Sequence, residues 1–122
     1  KLKEALQQMS EEGVVQVFRP RDGSPALVGV VGQLQLDVLK ARLAAEYGLP
    51  VEFEPSEFSL ARWISADDRR VFDAFVNANG SSIAEDVDGD LVYLARNQFY
   101  LDYTRERTEG LSFVNIKDVK KV

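Results

Sequence analysis

Glu85, Asp86, Asp88 and Asp90 place four carboxylates within six residues, the densest group of potential metal ligands in the sequence. Asp86-x-Asp88-Gly89-Asp90 invites a calcium-loop reading. An EF-hand loop needs Gly at its sixth position and Glu at its twelfth, whereas counting from Asp86 gives Leu91 and Asn97. The spacing predicts a solvated hairpin tip instead. Glu52 with Glu54 and Asp67 with Asp68 are the other close acidic pairs. Glycosidase-type chemistry requires two carboxyls in a cleft, one of them with a raised pKa, and no apolar neighbourhood surrounds either pair. They read as an exposed strand face and as a first helical turn, where negative charge meets the positive end of the helix dipole. Gly29-Val30-Val31-Gly32 is glycine-rich, but no Gly-Lys-Ser/Thr triplet occurs anywhere, which excludes a P-loop. The two glycines fit a strand end and the turn into a following helix.

The cationic residues fall near aromatic ones. Arg62, Arg69 and Arg70 flank Trp63 and a helix start; Arg96, Arg105 and Arg107 lie near Phe99, Tyr100 and Tyr103; Arg19-Pro20-Arg21 sits in a turn. Arginine beside aromatics is the makeup of surface ion-pair networks and of recognition patches for protein or RNA. The sequence contains no Cys and no His, which removes a thiol nucleophile, an imidazole base and the usual zinc and haem ligands. Chemistry would have to run on carboxylates, Ser/Thr, Tyr or Lys.

The elements that would position these residues follow from periodicity. Leu2, Ala5, Leu6 and Met9 form a helical stripe that should stop near Gly13. Val14 to Phe18 and Ala26 to Val31 read as strands joined by turn residues around Asp22-Gly23. Gln33 to Tyr47 has a wide apolar helical face ended by Gly48-Leu49-Pro50, and Val51 to Glu54 alternates as a half-buried strand should. Leu60 to Ile64 reads as a strand, and Ser65 with Asp68 has capping-pair spacing ahead of a helix with Val71, Phe72, Phe75 and Val76 on its stripe. Ser81 to Asp86 and Leu91 to Ala95 should form a hairpin across Asp88-Gly89. Phe99, Tyr100 and Tyr103 mark a last amphipathic helix up to Gly110, and Leu111 to Ile116 a closing strand.

The order is α-β-β-α-β and then β-α-β-β-α-β. The second half is a split βαβ unit, with two helices on one face of an antiparallel sheet, and the first half matches it if its opening strand lies upstream. The expected fold class is α+β: two consecutive split βαβ (ferredoxin-like) units of approximately residues 1–57 and 58–122, on one sheet or on two.

With 122 residues and 45% apolar side chains, the sequence has the size and composition of one domain that needs no disulfide or metal to fold. The balance of 15 basic and 20 acidic residues, net charge −5, opposes bulk binding to phosphate backbones but leaves room for a local Arg cluster. Apolar runs such as Val28 to Val31 stay far below the ~18 residues that span a bilayer, and the first residues hold no signal-peptide core. The expectation is a cytoplasmic protein without membrane contact.

Ser10-Glu11-Glu12-Gly13-Val14-Val15-Gln16-Val17-Phe18-Arg19-Pro20 and Val28-Gly29-Val30-Val31-Gly32-Gln33-Leu34-Gln35-Leu36-Asp37-Val38, taken together, resemble the C-terminal domain of bacterial peptide chain release factor three, the class II release-factor GTPase of the translational GTPase superfamily. The resemblance continues through Arg42-Leu43-Ala44-Ala45-Glu46-Tyr47, Ala61-Arg62-Trp63-Ile64 and Leu91-Val92-Tyr93-Leu94-Ala95, and is weakest after Asn97. Gly32 to Asp37 is similar to the Gly-Glu-Leu-His-Leu-Glu pattern of translocating elongation factors, with Gln33 and Gln35 in place of Glu and His, a departure that favours the release-factor branch.

The resemblance implies a parent that hydrolyses GTP with magnesium in an upstream P-loop domain followed by a β-barrel domain. Such a parent removes class I release factors from the ribosome after peptide release. It implies that this portion is not itself an enzyme and carries no cofactor. Its implied partners are ribosomal protein and RNA, a class I release factor, and the parent's GTPase and barrel domains. Arg19 and Arg21 at the expected hairpin tip, with Arg62 and Arg69, are candidate ribosome contacts. The competing expectations are a free-standing ferredoxin-like regulatory or ligand-binding module, and a small acid/base enzyme using Glu52, Glu54 or Tyr103.

Overall fold

The computed structural model describes residues 2–13, 15–30 and 33–115. Helix α1 (Leu2–Glu11) buries Ala5, Leu6 and Met9 of the stripe that its spacing predicts and leaves Leu2 exposed. It ends at Gly13, whose φ of +81° lies in the left-handed region that glycine tolerates best. A hairpin of β1 (Gln16–Pro20) and β2 (Leu27–Gly29) follows, then α2 (Gln33–Tyr47), which buries Leu39 and Leu43. The second half contains β3 (Leu60–Ala66), α3 (Arg69–Ala78), a short 3-10 turn at Gly80–Ser82, β4 (Ile83–Glu85), β5 (Leu91–Ala95), α4 (Gln98–Arg107) and β6 (Leu111–Val114).

All six strands lie in one sheet of order β2-β1-β4-β5-β3-β6, and every neighbouring pair is antiparallel. The order β4-β5-β3-β6, with α3 and α4 as crossovers, is a complete split βαβ unit. The halves therefore share one sheet. They meet on β1, whose Gln16 to Phe18 pair with β2 while Arg19 and Pro20 pair with Glu85 and Ala84 of β4.

Alternation along the strands sorts the core into two faces. Val17 packs with α1 and α2, and Ile83, Tyr93 and Ala95 pack with Phe75 of α3 and Leu101 of α4. Phe75, Tyr93 and Phe113 meet edge to face, with centroids 5.4 to 5.8 Å apart. Phe18, Ala84, Val92 and Leu94 point to the opposite face, where Phe58 and Trp63 cover them. Each fully buried aliphatic side chain, such as Leu39, Leu43 or Ile83, contributes about 1.5–3 kcal/mol.

Several expectations are corrected. Val51 to Glu54 forms no strand, although Val51 and Phe53 face the core and Glu52 and Glu54 face water. The alternation is real, but the segment has no ladder partner among the described residues. The first strand runs two residues further than its apolar pattern because β4 supplies partners for Arg19 and Pro20. Ser65 does not cap α3: it stays in β3 opposite Ser112, and Asp68 is the N-cap, accepting from the Arg70 N–H. The β4–β5 connection is not a two-residue turn. Asp86 N–H donates to Asp90 O at 2.9 Å, which leaves Val87 to Gly89 as the loop. Val14, Val31, Gly32 and Ile116, assigned to strands or turns from the sequence, lie outside the described residues.

Candidate functional site

The four candidate arginines occupy three places. Arg19 belongs to β1 rather than to the hairpin tip, and its Nη2 donates to Gln7 Oε1 of α1 at 2.7 Å. The helix thereby holds a half-buried guanidinium against the sheet. Arg21 is exposed in the turn, while its backbone N–H donates to Ile83 O at 3.0 Å, which fixes where the turn leaves the sheet. Beside it, hydrogen bonds from Ser24 hold the Asp22 carboxyl below its ordinary range. The tip therefore carries an anion next to its cation.

Arg62 lies in β3 opposite Tyr93, half-buried, with Nη1 donating to Ala61 O at 2.9 Å. Arg62, Tyr93, Ile83 and the Arg21 amide form one row across the sheet. At the strand spacing this puts Arg62 and Arg21 roughly 14 Å apart. Arg69 opens α3, beyond the other end of β3, exposed and paired with Asp73 at 3.1 Å over the Phe72 ring. The structure puts Arg19 and Arg21 together at the end of β1, between β2 and β4, places Arg62 along the Arg21 row, and sets Arg69 apart.

The acidic turn is exposed at Glu85, Asp88 and Asp90, as its composition suggests, but not at Asp86. Asp86 is only 7% exposed. Its Oδ1 accepts from the Asp88 and Asp90 backbone N–H groups and its Oδ2 from Trp63 Nε1, each at 2.9 Å. Asp86, Asp88 and Asp90 bring carboxylate oxygens within 4.8 Å of one another. These bonds make Asp86 the organiser of a tight turn and of the indole beneath it. A Trp 23 residues upstream was the available signal, and no local pattern links the two.

Helix α4 also departs from its expected orientation. Leu101 is buried, whereas Phe99 is 70% exposed and Tyr100 and Tyr103 are each 46% exposed. Phe99 stacks on Tyr103 at 6.3 Å, and the Arg107 guanidinium lies 4.2 Å from the Tyr103 ring centroid. The inward face is Leu101, Thr104 and Thr108, with Thr104 Oγ1 bonded to the Tyr93 hydroxyl at 2.9 Å. The aromatics thus form a surface rather than a core stripe. Glu52 is exposed and paired with Lys40 at 3.0 Å, and Glu54 and Tyr103 are exposed as well, so none has the desolvated surroundings that acid/base catalysis needs.

A complete split βαβ unit and an αββα half on the same antiparallel sheet define an α+β domain of ferredoxin-like units. The comparison with known families is specific. The family model for the C-terminal domain of the class II release factor RF3 matches residues 1–105, and the chain belongs to that family. Its role is accordingly related to release factor 3, in translation termination. Among the described residues no helix is long and apolar enough to cross a membrane.

Proposed function

We propose that this chain is the C-terminal, ribosome-contacting domain of a larger GTP-dependent factor, active in the cytoplasm, that recycles class I release factors after peptide release. The family match over residues 1–105 carries this reading. GTP and magnesium bind in the parent's upstream domain, which is where chemistry resides. The present domain contributes shape. Ribosomal protein and RNA engage it in one arrangement of the parent's GTPase and barrel domains better than in another, and that difference in affinity shifts the arrangement. A continuous sheet supports such a role, because a block that moves as a body transmits a displacement that a jointed one would absorb.

Arg19 and Arg21 are the first candidates for the contact, with Arg62 and Arg69 behind them. The test is charge reversal, Arg19→Glu with Arg21→Glu, in the full-length factor. Ribosome-stimulated GTP hydrolysis and release of the class I factor should both fall, while hydrolysis without ribosomes stays the same. Unchanged stimulation would remove these residues from the contact.

A further inference from the structure

We propose that the outer face of α4 is a stacking platform for unpaired nucleotides of ribosomal RNA, with a base lying on the free face of Phe99. The inference rests on the reading of this domain as ribosome-contacting. It deepens that reading by naming a surface and the chemistry that the surface selects.

Three planar groups form a column along the helix. Phe99, Tyr103 and Arg107 follow one another at i, i+4 spacing, an advance of about 6 Å per step. The two rings are 22° from parallel with centroids 6.3 Å apart, and the Arg107 guanidinium carbon lies 4.2 Å from the Tyr103 centroid. Tyr100 stands edge-on to Phe99 at 5.5 Å and braces the terminal ring. Leu101 already fills the core beneath α4, so the column is not there to pack the fold. A contiguous exposed patch of this kind marks an interaction surface.

Charge and size select the occupant. At 100° per residue, Phe99, Tyr100, Tyr103 and Arg107 share a sector of roughly 100°, while Asp102 and Glu106 fall to the other side of Phe99. The aromatic sector therefore carries a cation and no carboxylate. Asp102 meets Gln98 and Arg105 instead. Among the described residues Arg107 forms no ion pair, and its guanidinium stays over the ring. On a chain of net charge −5, this sector is complementary to a partner that joins planar groups to negative charge. Bases stack on Phe and Tyr faces and on guanidinium planes whatever their sequence, and their phosphates suit a free arginine. The three exposed rings offer roughly 300 Å², far short of the ~800 Å² per partner of a standard protein interface. That area suits a short run of nucleotides better than a protein partner or a second copy of the chain.

Binding of the full-length factor to ribosomes, with a non-hydrolysable GTP analogue, tests the platform. Phe99→Leu with Tyr103→Leu keeps apolar bulk and removes the ring faces. It should weaken binding by about tenfold, the loss of one stacked base, and expose to base- and ribose-modifying reagents the unpaired nucleotides that the wild type shields. Phe99→Tyr with Tyr103→Phe should keep both the affinity and the shielding. A leucine pair that binds and shields like the wild type would overturn the proposal. So would weaker binding with RNA reactivity unchanged, the sign of an apolar contact to ribosomal protein. Should the leucine pair unfold, seen in Trp63 fluorescence, the single Phe99→Leu variant decides by the same two readouts. A wild-type factor that binds no ribosomes would reject the functional reading as well; one that binds them equally with and without the rings would reject the platform alone.

Discussion

A carboxylate with few chemical prospects turns out to organise the back of the sheet. Asp86 satisfies the Trp63 indole and two backbone N–H groups, so Asp86→Ala leaves three donors without their acceptor. The expected cost is about 3 kcal/mol, read as a lower urea midpoint by the fluorescence of Trp63, the only tryptophan. That role was illegible because four acids beside a glycine describe an exposed tip and a buried Asx turn equally well. A second residue-scale prediction concerns Arg42, which binds Glu46 at 2.7 Å on its own helix and Glu12 at 3.2 Å beyond the end of α1. The hydrogen bond from Arg42 holds the Glu46 carboxyl below its ordinary range. A lowered pKa gives stability that is present above the unfolded glutamate value and is lost as pH falls through the folded one. The stability difference between wild type and Arg42→Gln should therefore shrink on acidification, in urea titrations at successive pH values.

Apart from Val51 to Glu54, element types followed from periodicity, but their ends and orientations did not. β3 continues to Ala66 because β6 pairs with it, so Asp68 rather than Ser65 caps α3; Asn97 likewise caps α4 by accepting from the Tyr100 N–H at 3.0 Å. Asp68→Ala and Asn97→Ala should each cost about 1 kcal/mol by chemical denaturation. Ser65→Ala, an exposed change away from any cap, should stay within about 0.5 kcal/mol. Helix α4 shows why an apolar stripe can mislead: Phe99 and Tyr103 satisfy one another on the surface, and the smaller Leu101 takes the core. Leu101→Ala should cost about 2–5 kcal/mol, whereas Phe99→Ser should move thermal stability little, an ordering opposite to the one side-chain size suggests.

At the scale of the whole molecule, the split βαβ pattern was legible in the second half because its element order is complete. The first half stayed ambiguous because a strand's existence depends on its neighbour, and the alternation of Val51 to Glu54 has none among the described residues. The arginine candidates show the same limit. Of the pair expected at the hairpin tip, Arg21 lies in the turn and Arg19 in β1 beside it, while Arg62 and Arg69 needed the register to be separated. Since Gln7 orients Arg19, Gln7→Ala in the full-length factor should reduce ribosome stimulation less than Arg19→Glu and leave hydrolysis without ribosomes unaltered, measured as GTP turnover at increasing ribosome concentration.

Only two residue pairs, Arg19 with Glu85 and Pro20 with Ala84, stitch β1 to β4, helped by the Arg21 amide and by Phe18 against Trp63 at 5.9 Å. That short suture is the narrowest bridge in the sheet. Of the five strand pairings it is the one that a twist applied to the α1–α2 end should open first.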